Sequence, residues 1–511
     1  MENPFLDYGK IVTGIRFIGR LKEIAIIRNR VLNSSFGNIA VQGIPRIGKS
    51  SLVWNALVSE KEILERDKGI FVIRINVSSL ISSEKFFMKL LKELHKRIRR
   101  NSTIKELEYF NQIFEKVTKS EFSSERYDLI EEYCQFLRDF NHRVIFILDE
   151  FDAARGFLNV GDFQFLRELT YNPDTEVCIV SISRRGIKEI EPSEGTLSNF
   201  YQTFNDLYVG MYSEDDMDEY WKRFFPKEIS LSEKAISEIT NFSGKHPFLL
   251  DLFNFHMYNN YSGDLYDAII NTKKSIKVTI LNNYKTILDL LQEEGLASKL
   301  IQVVIGPKVD LKSEDVEKLE RLDLINISET KLISMDGNEV EGFETFSNDF
   351  EQYLRKVNRE IPIWDLWSET EVKLRNIVHE WLVERFGEEW VPGFSKLNPK
   401  KVDYIEQLQS IQARERQSFP DTYSQNLLDF TYPADLFNRF MSTEWKWFSN
   451  VFGGQKNDWK LKFDLLARIR NPLAHNKENL LKEFEKDDAN GYCKEIIHKI
   501  DEWYKGKYSN E

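Results

Sequence analysis

The chain has 511 residues, of which 41% are hydrophobic and 13% aromatic, and its net charge is −12. That length accommodates roughly three or four domains with ordinary packed cores, and the acidic balance argues against a surface wholly sheathed in nucleic acid while leaving room for a local basic site. Three dispersed cysteines (Cys134, Cys178, Cys493) exclude a disulfide framework and a C-x-x-C zinc site. No run approaches the roughly 18 apolar residues of a membrane span, and the N-terminus "MENPFLDYGK" lacks a secretory pattern, so the sequence reads as soluble and cytoplasmic.

In chain order, the apolar run Asn38 to Gln42 predicts a strand and Ser51 to Val58 a helix. Between them stands Gly43-Ile44-Pro45-Arg46-Ile47-Gly48-Lys49-Ser50, which fits the phosphate-binding pattern G-x-x-x-x-G-K-[ST] in full. Gly43 and Gly48 let the backbone fold round an anion with N–H groups inward, and the helix N-terminus adds positive potential. Lys49 reaches phosphate oxygens, and the Ser50 hydroxyl, with Ser51 beside it, serves a Mg²⁺ ion. ATP or ADP is the expected ligand.

Ile70 to Val77 predicts a buried strand, and residues 84–105 a helix carrying Lys85, Lys89, Lys92, Lys96, Arg97, Arg99 and Arg100, which reads as a solvated face rather than a nucleic-acid patch. Val144 to Leu148 is a continuous apolar run, as in a strand buried on both faces of a parallel sheet. Asp149 and Glu150 follow: the first positioned to hold Mg²⁺ through water, the second to polarise the attacking water. Asp152 reads as a structural cap or rim residue. Glu176 to Ser183 predicts another strand, ending in Arg184-Arg185, of which Arg184 is the better γ-phosphate sensor. Asp206 to Met211 is the candidate last strand. Strands alternating with helices imply a doubly wound parallel sheet with its ligand at the carboxyl strand ends.

Two further segments, "FIGRLKEI" (Phe17 to Ile24) and "SGKHPFLL" (Ser243 to Leu250), complete a set that resembles the STAND class of signal-transducing P-loop ATPases and the related archaeal initiator-like ATPases. The resemblance places Gly19, Arg20 and Glu23 along the adenine and Pro247 at the base and sugar, with His246 a filler. It implies a P-loop core over residues 1–212 and a helical lid over 213–275. Over 276–360, two amphipathic helices (Asn282 to Gly295, Ser313 to Ile325) flank a third, and a hairpin pattern turning at Asp336-Gly337 follows. This order resembles a winged-helix domain. Glu314, Asp315, Glu317, Glu320 and Asp323 would repel phosphate, favouring packing on the nucleotide core over DNA binding.

Residues 361–511 are helical in pattern and carry Trp364, Trp367, Trp381, Trp390, Trp445, Trp447, Trp459 and Trp503, enough bulk for an independent core. "RNPLAH" (Arg470 to His475), with helices expected over Ser368 to Phe386 and Leu436 to Phe452, resembles an all-α HEPN domain of the Swt1-like branch. The resemblance implies a metal-independent ribonuclease built from two copies. His475 would act as base, since imidazole titrates near neutrality, Arg470 would stabilise phosphorane charge, and Asn471 would orient the substrate. Pro472 is expected in the first turn of a helix, with Arg470 at its mouth; Glu371 and Arg375 would line the cleft.

The whole reads as an α/β P-loop NTPase with a helical lid and winged helix, followed by an all-α HEPN domain. It would be a switchable ribonuclease acting on RNA such as tRNA in anti-phage growth arrest, as a homodimer or larger homo-oligomer. With no 20–50-residue repeat to form a sensor array, the trigger acts through a partner protein, the ATPase core or the Trp-rich domain. One alternative is a DNA-binding initiator-like ATPase whose HEPN domain only oligomerises. Another makes that domain a toxin-like module bound to a separate nucleotidyltransferase.

Overall fold

The computed structural model describes residues 3–508 apart from 34–35, 102–106, 121–122, 193–197, 226–230, 306–311, 329–331, 334–338, 341, 361–362, 419–422 and 475–480. It forms two compact units, Met1–Ala297 with Ser313–Glu351, and Ser298–Lys312 with Gln352–Glu511. No helix among the described residues is long and apolar enough to cross a membrane.

The first unit is built on five parallel strands: β1 (Asn38–Gln42), β2 (Ile70–Asn76), β3 (Arg143–Asp149), β4 (Val177–Ser183) and β5 (Phe204–Tyr208), in spatial order β2-β3-β4-β1-β5. Successive strand residues point to opposite faces. Phe71, Ile73 and Ile75 of β2 join Val144, Phe146 and Leu148 of β3 in one core. Their alternates Val72, Ile145 and Ile147 are buried too, so the sheet is covered on both faces, and this is why these strands read as unbroken apolar runs. The last strand begins two residues earlier than Asp206 and ends at Tyr208. There Gly210 and Met211 turn away, their carbonyls spent on Arg20.

The basic helix runs Ser83–Ile98, started by the Ser82 hydroxyl accepting from the Lys85 amide. Phe86, Leu90, Leu94 and Ile98 are buried, while Lys89 and Lys96 pair with Glu93 and Arg97 with Glu65. Much of its positive charge is therefore neutralised within the chain.

The helices Glu214–Phe224, Glu233–Ser243 and Pro247–Asn260 follow the sheet. Ser213 and Asp216 form a reciprocal capping box for the first, and Pro247 opens the third, where its missing N–H has no helical partner to lose. Helix Lys277–Glu293, helix Ala297–Ile305, helix Ser313–Arg321 and the antiparallel pair Ile325–Ile327 with Phe343–Thr345 then follow in chain order; the Asp336-Gly337 turn lies outside the described residues.

In the second unit every described element is helical. Ile363–Phe386 and Glu483–Tyr508 pack together, tied by Lys373–Asp501 and Lys507–Glu380 ion pairs. Trp367, Trp381, Trp390 and Trp459 are in the core. Two expectations fail here. Leu436 to Phe452 is not one helix but a π-turn (Leu436–Phe440), a 3₁₀ turn (Met441–Thr443) and an α-helix (Trp445–Phe452). The Ser442 and Thr443 hydroxyls donate to the Asn438 and Phe440 carbonyls, which offers the backbone an alternative to regular helix. Pro472 does not begin a helix either. Lys456–Ala474 runs continuously through it, so Arg470 lies in the closing turns, where helix potential is negative.

Gly244 adopts φ 63° and ψ −157°, a region open essentially to glycine, and a Cβ there would lie 2.4 Å from the Phe346 carbonyl oxygen. Gly244→Ala is expected to destabilise the first unit by about 2 kcal/mol, measured as a lower urea midpoint.

Candidate functional site

β1 ends at the P-loop and the helix Lys49–Ala56 leaves it. Gly43 (φ 154°), Arg46 (φ 62°) and Gly48 (φ 101°) make the loop's sharp turns. A side chain at position 43 would meet the Val209 carbonyl at 2.6 Å. The Lys49 ammonium is buried and donates to the Gly43 and Ile44 carbonyls at 2.8 and 2.9 Å. Burial drives its pKa down to about 8 against the pull of Asp152, with Arg184 pushing the same way as burial.

At the end of β3 the Asp149 carboxylate accepts from the Ser50 hydroxyl (3.0 Å), the Glu150 amide (3.1 Å) and the Arg74 guanidinium (2.5 Å). A hydroxyl and a carboxylate so close are hard oxygen ligands that suit Mg²⁺. Glu150 sits in the left-handed region (φ 55°) with its side chain exposed, on the wall of the adjoining cavity.

That cavity, about 310 Å³, is lined by the segment Gly9–Arg20, the P-loop from Arg46 to Ser51, Glu150 and the helices Glu214–Phe224 and Pro247–Asn260. Pro247 and Phe248 form part of its wall, and the Arg46 guanidinium lies 4.3 Å over the Phe248 ring. Ser51 accepts from the Val12 amide, which pins the N-terminal segment across the P-loop helix. Arg16 pairs with Asp7 and Asp251, both at 3.0 Å, and stacks on Phe224. Burial raises the Asp251 carboxyl to about 6 against Arg16. His246 is fully buried beside Phe248 and Phe346, and burial drives its imidazole down to about 3, so it is neutral.

Arg20 lines the cavity, but its guanidinium donates to Glu23 and to the Gly210 and Met211 carbonyls. Gly19 (φ 57°) faces Asp216, whose carboxylate would sit 1.7 Å from an added Cβ. The Met211 amide in turn donates to Asp323 at 2.7 Å. Asp152 accepts from the Arg184 and Arg185 amides, the structural role expected of it, and the two arginines part company. Arg184 is half-exposed. The Arg185 side chain is buried, paired with Glu293, Glu294 (3.6 Å) and Asp152 (3.8 Å). Lys318 pairs with the same Glu294 at 2.8 Å and with Glu189.

In the helical unit Arg470 approaches Glu371 at 3.9 Å and stacks 4.5 Å over Tyr432, while Arg375 donates to Glu371 and to the Thr431 carbonyl, each at 3.0 Å. The structure thus brings Glu371, Arg375 and Arg470 together. His475 lies outside the described residues, as does the side chain of Asn471. Sequence reasoning passed over Arg16, Arg46, Arg74, Asp251 and Phe248; for Arg74 the signal was a lone cation within "IFVIRINV".

No family model and no curated protein matches the chain. Among solved structures it is similar to a Walker-type ATPase of Pyrococcus abyssi (15% identity, 66% of this chain and 96% of that one, TM-score 0.43). It is also similar to the ORC2 protein of Aeropyrum pernix in ADPNP–ADP complexes (12%, 66% and 94%, 0.38) and the ORC1 protein of the same organism in complex with DNA (13%, 69% and 95%, 0.33). The parallel sheet with a P-loop after β1 and an acidic pair after β3 defines an α/β P-loop nucleotide-binding fold.

The Lys49 value fixes a pH dependence. Phosphate favours the ammonium, so its pKa is higher in the nucleotide complex than in the free site. ADP affinity is therefore expected to be flat below about pH 8. It should weaken by up to about tenfold per pH unit above that, which calorimetry across pH 6.5–9.5, on the order of three units, would measure.

Proposed function

We propose that this chain is a nucleotide-switched ATPase of the STAND or initiator-like kind controlling a C-terminal HEPN-type endoribonuclease, with the domain limits 1–212, 213–275, 276–360 and 361–511 expected from sequence. The observation that carries the ATPase half is the convergence of Lys49, Ser50 and Glu150 on one cavity, with Asp149 accepting from the Ser50 hydroxyl beside it. P-loop amides and Lys49 hold the nucleotide phosphates. Ser50 and Asp149 would hold Mg²⁺, which when bound would supply positive charge for the phosphate oxygens. Glu150 orients the attacking water and takes its proton, with Arg184 near the γ-phosphate. The Arg185–Glu294–Lys318 cluster supports a winged-helix segment that reads the tip of β4.

The ribonuclease half is supported by the grouping of Arg470 with Glu371 and Arg375. His475 would take the proton of an RNA 2′-hydroxyl. The 2′-oxygen would then attack the adjacent phosphorus while Arg470 steadies the phosphorane and Asn471 orients the ribose. The 5′-oxygen leaves, giving a 2′,3′-cyclic phosphate, in a cleft completed by a second copy. RNA such as tRNA is the substrate class and growth arrest against phage the outcome, with the chain in the cytoplasm and a partner protein as trigger.

Glu150→Gln is expected to retain ADP affinity within about twofold yet lower phosphate release at least about 100-fold; undiminished release would move the base elsewhere. Incubated with total RNA, ATP and Mg²⁺, the wild type should yield cyclic-phosphate ends that vanish in His475→Ala. Cleavage that persists in this variant removes the assignment. No cleavage at all, together with duplex-DNA binding that falls steeply with salt, favours the initiator-like reading.

A further inference from the structure

β2 reads Ile-Phe-Val-Ile-Arg-Ile-Asn, and a cation within a core strand needs a reason. Alternation places Val72, Arg74 and Asn76 on one face of the sheet, and the register sets Arg74 beside Ile147 and Asn76 beside Asp149. From there the Arg74 guanidinium donates to Asp149 Oδ2 at 2.5 Å, on the oxygen not used by Ser50 and Glu150. It also lies 5.7 Å over the ring of Trp54, on the helix that leaves the P-loop. Its Nε is buried and has no hydrogen-bond partner among the described residues. A solvent-facing arginine would gain little from this arrangement. One lodged between the phosphate-binding helix and the metal-ligating carboxylate contributes charge at that point.

We infer that Arg74 is a positioning residue that takes over the divalent cation's role when the metal is away. It holds Asp149 in place and supplies positive charge beside the phosphates, so the chain can keep a metal-free nucleoside diphosphate. The Arg74 guanidinium would compete with a Mg²⁺ ion for the Asp149 carboxylate and disfavour it by like charge. The metal therefore adds less to nucleotide affinity here than it would in a site without the arginine. The inference rests on the nucleotide-site reading above and concerns how that site trades one cation for another.

The test is a two-by-two comparison with a fluorescent N-methylanthraniloyl-ADP, titrated into the full chain with EDTA or with MgCl₂. Arg74→Met keeps the aliphatic stem over Trp54 and removes the charge. Its metal-free affinity should fall at least about tenfold, while affinity with Mg²⁺ changes less than about threefold, so the gain from Mg²⁺ grows. Arg74→Lys should stay near the wild-type gain. If Arg74→Met does not fold, Arg74→Gln, which retains a donor to Asp149, carries the same expectation. A merely structural role would weaken binding equally with and without metal, and that equal loss would overturn the inference. Failure of the wild type to bind the probe in either buffer would instead remove the nucleotide-site reading itself.

Discussion

The carboxylate of Asp149 is the constraint on which the first unit depends. It ends β3, and its three donors arrive from three directions: Ser50 from the P-loop helix, Arg74 from β2 and the amide of Glu150 from the turn that follows. Those donors meet only because parallel strands align their carboxyl ends along one edge, with β4 interposed between β3 and β1. A buried carboxylate without such partners would carry a large desolvation cost; with them it fixes the distance between the loop that cradles phosphate and the turn that carries Glu150.

The same edge is wired outward. Asp152, one turn past Asp149, accepts from the backbone amides of Arg184 and Arg185 and so fixes the tip of β4 to the turn after β3. Arg185 carries that position to Glu293 and Glu294 at the end of one helix, and Glu294 shares Lys318 with Glu189. On the other side of the cavity Arg20 grips the carbonyls of Gly210 and Met211, and the Met211 amide is held by Asp323. Burial raises the pKa of both Glu294 and Asp323. Breaking either link would therefore leave a poorly solvated carboxylate.

In the helical unit Arg470 is held between a carboxylate and the face of Tyr432, and Arg375 shares that carboxylate. Two guanidiniums thus share the one carboxylate of Glu371. Because the helix Lys456–Ala474 runs on through Pro472, this charge comes from side chains, with no contribution from a helix N-terminus.

Local pattern sufficed for the phosphate loop, its flanking strand and helix, and the apolar runs of β2, β3 and β4, because each is set by residues within about ten positions of one another. It failed where side chains decide the backbone: Ser442 and Thr443 break a helix that periodicity extends, and the carbonyls beyond β5 turn aside to meet Arg20. Tertiary structure alone decided that Arg74 meets Asp149, that Arg184 and Arg185 share Asp152 while Arg185 also reaches Glu293 and Glu294, and that Gly244 lies under Phe346. Those contacts join positions far apart in sequence, with |i−j| of 32 for Asp152 and Arg184, 75 for Arg74 and Asp149, and 108 for Arg185 and Glu293. The sequence carries the chemical capacity of each residue, while the partner it meets depends on strand order and register, which no local window encodes.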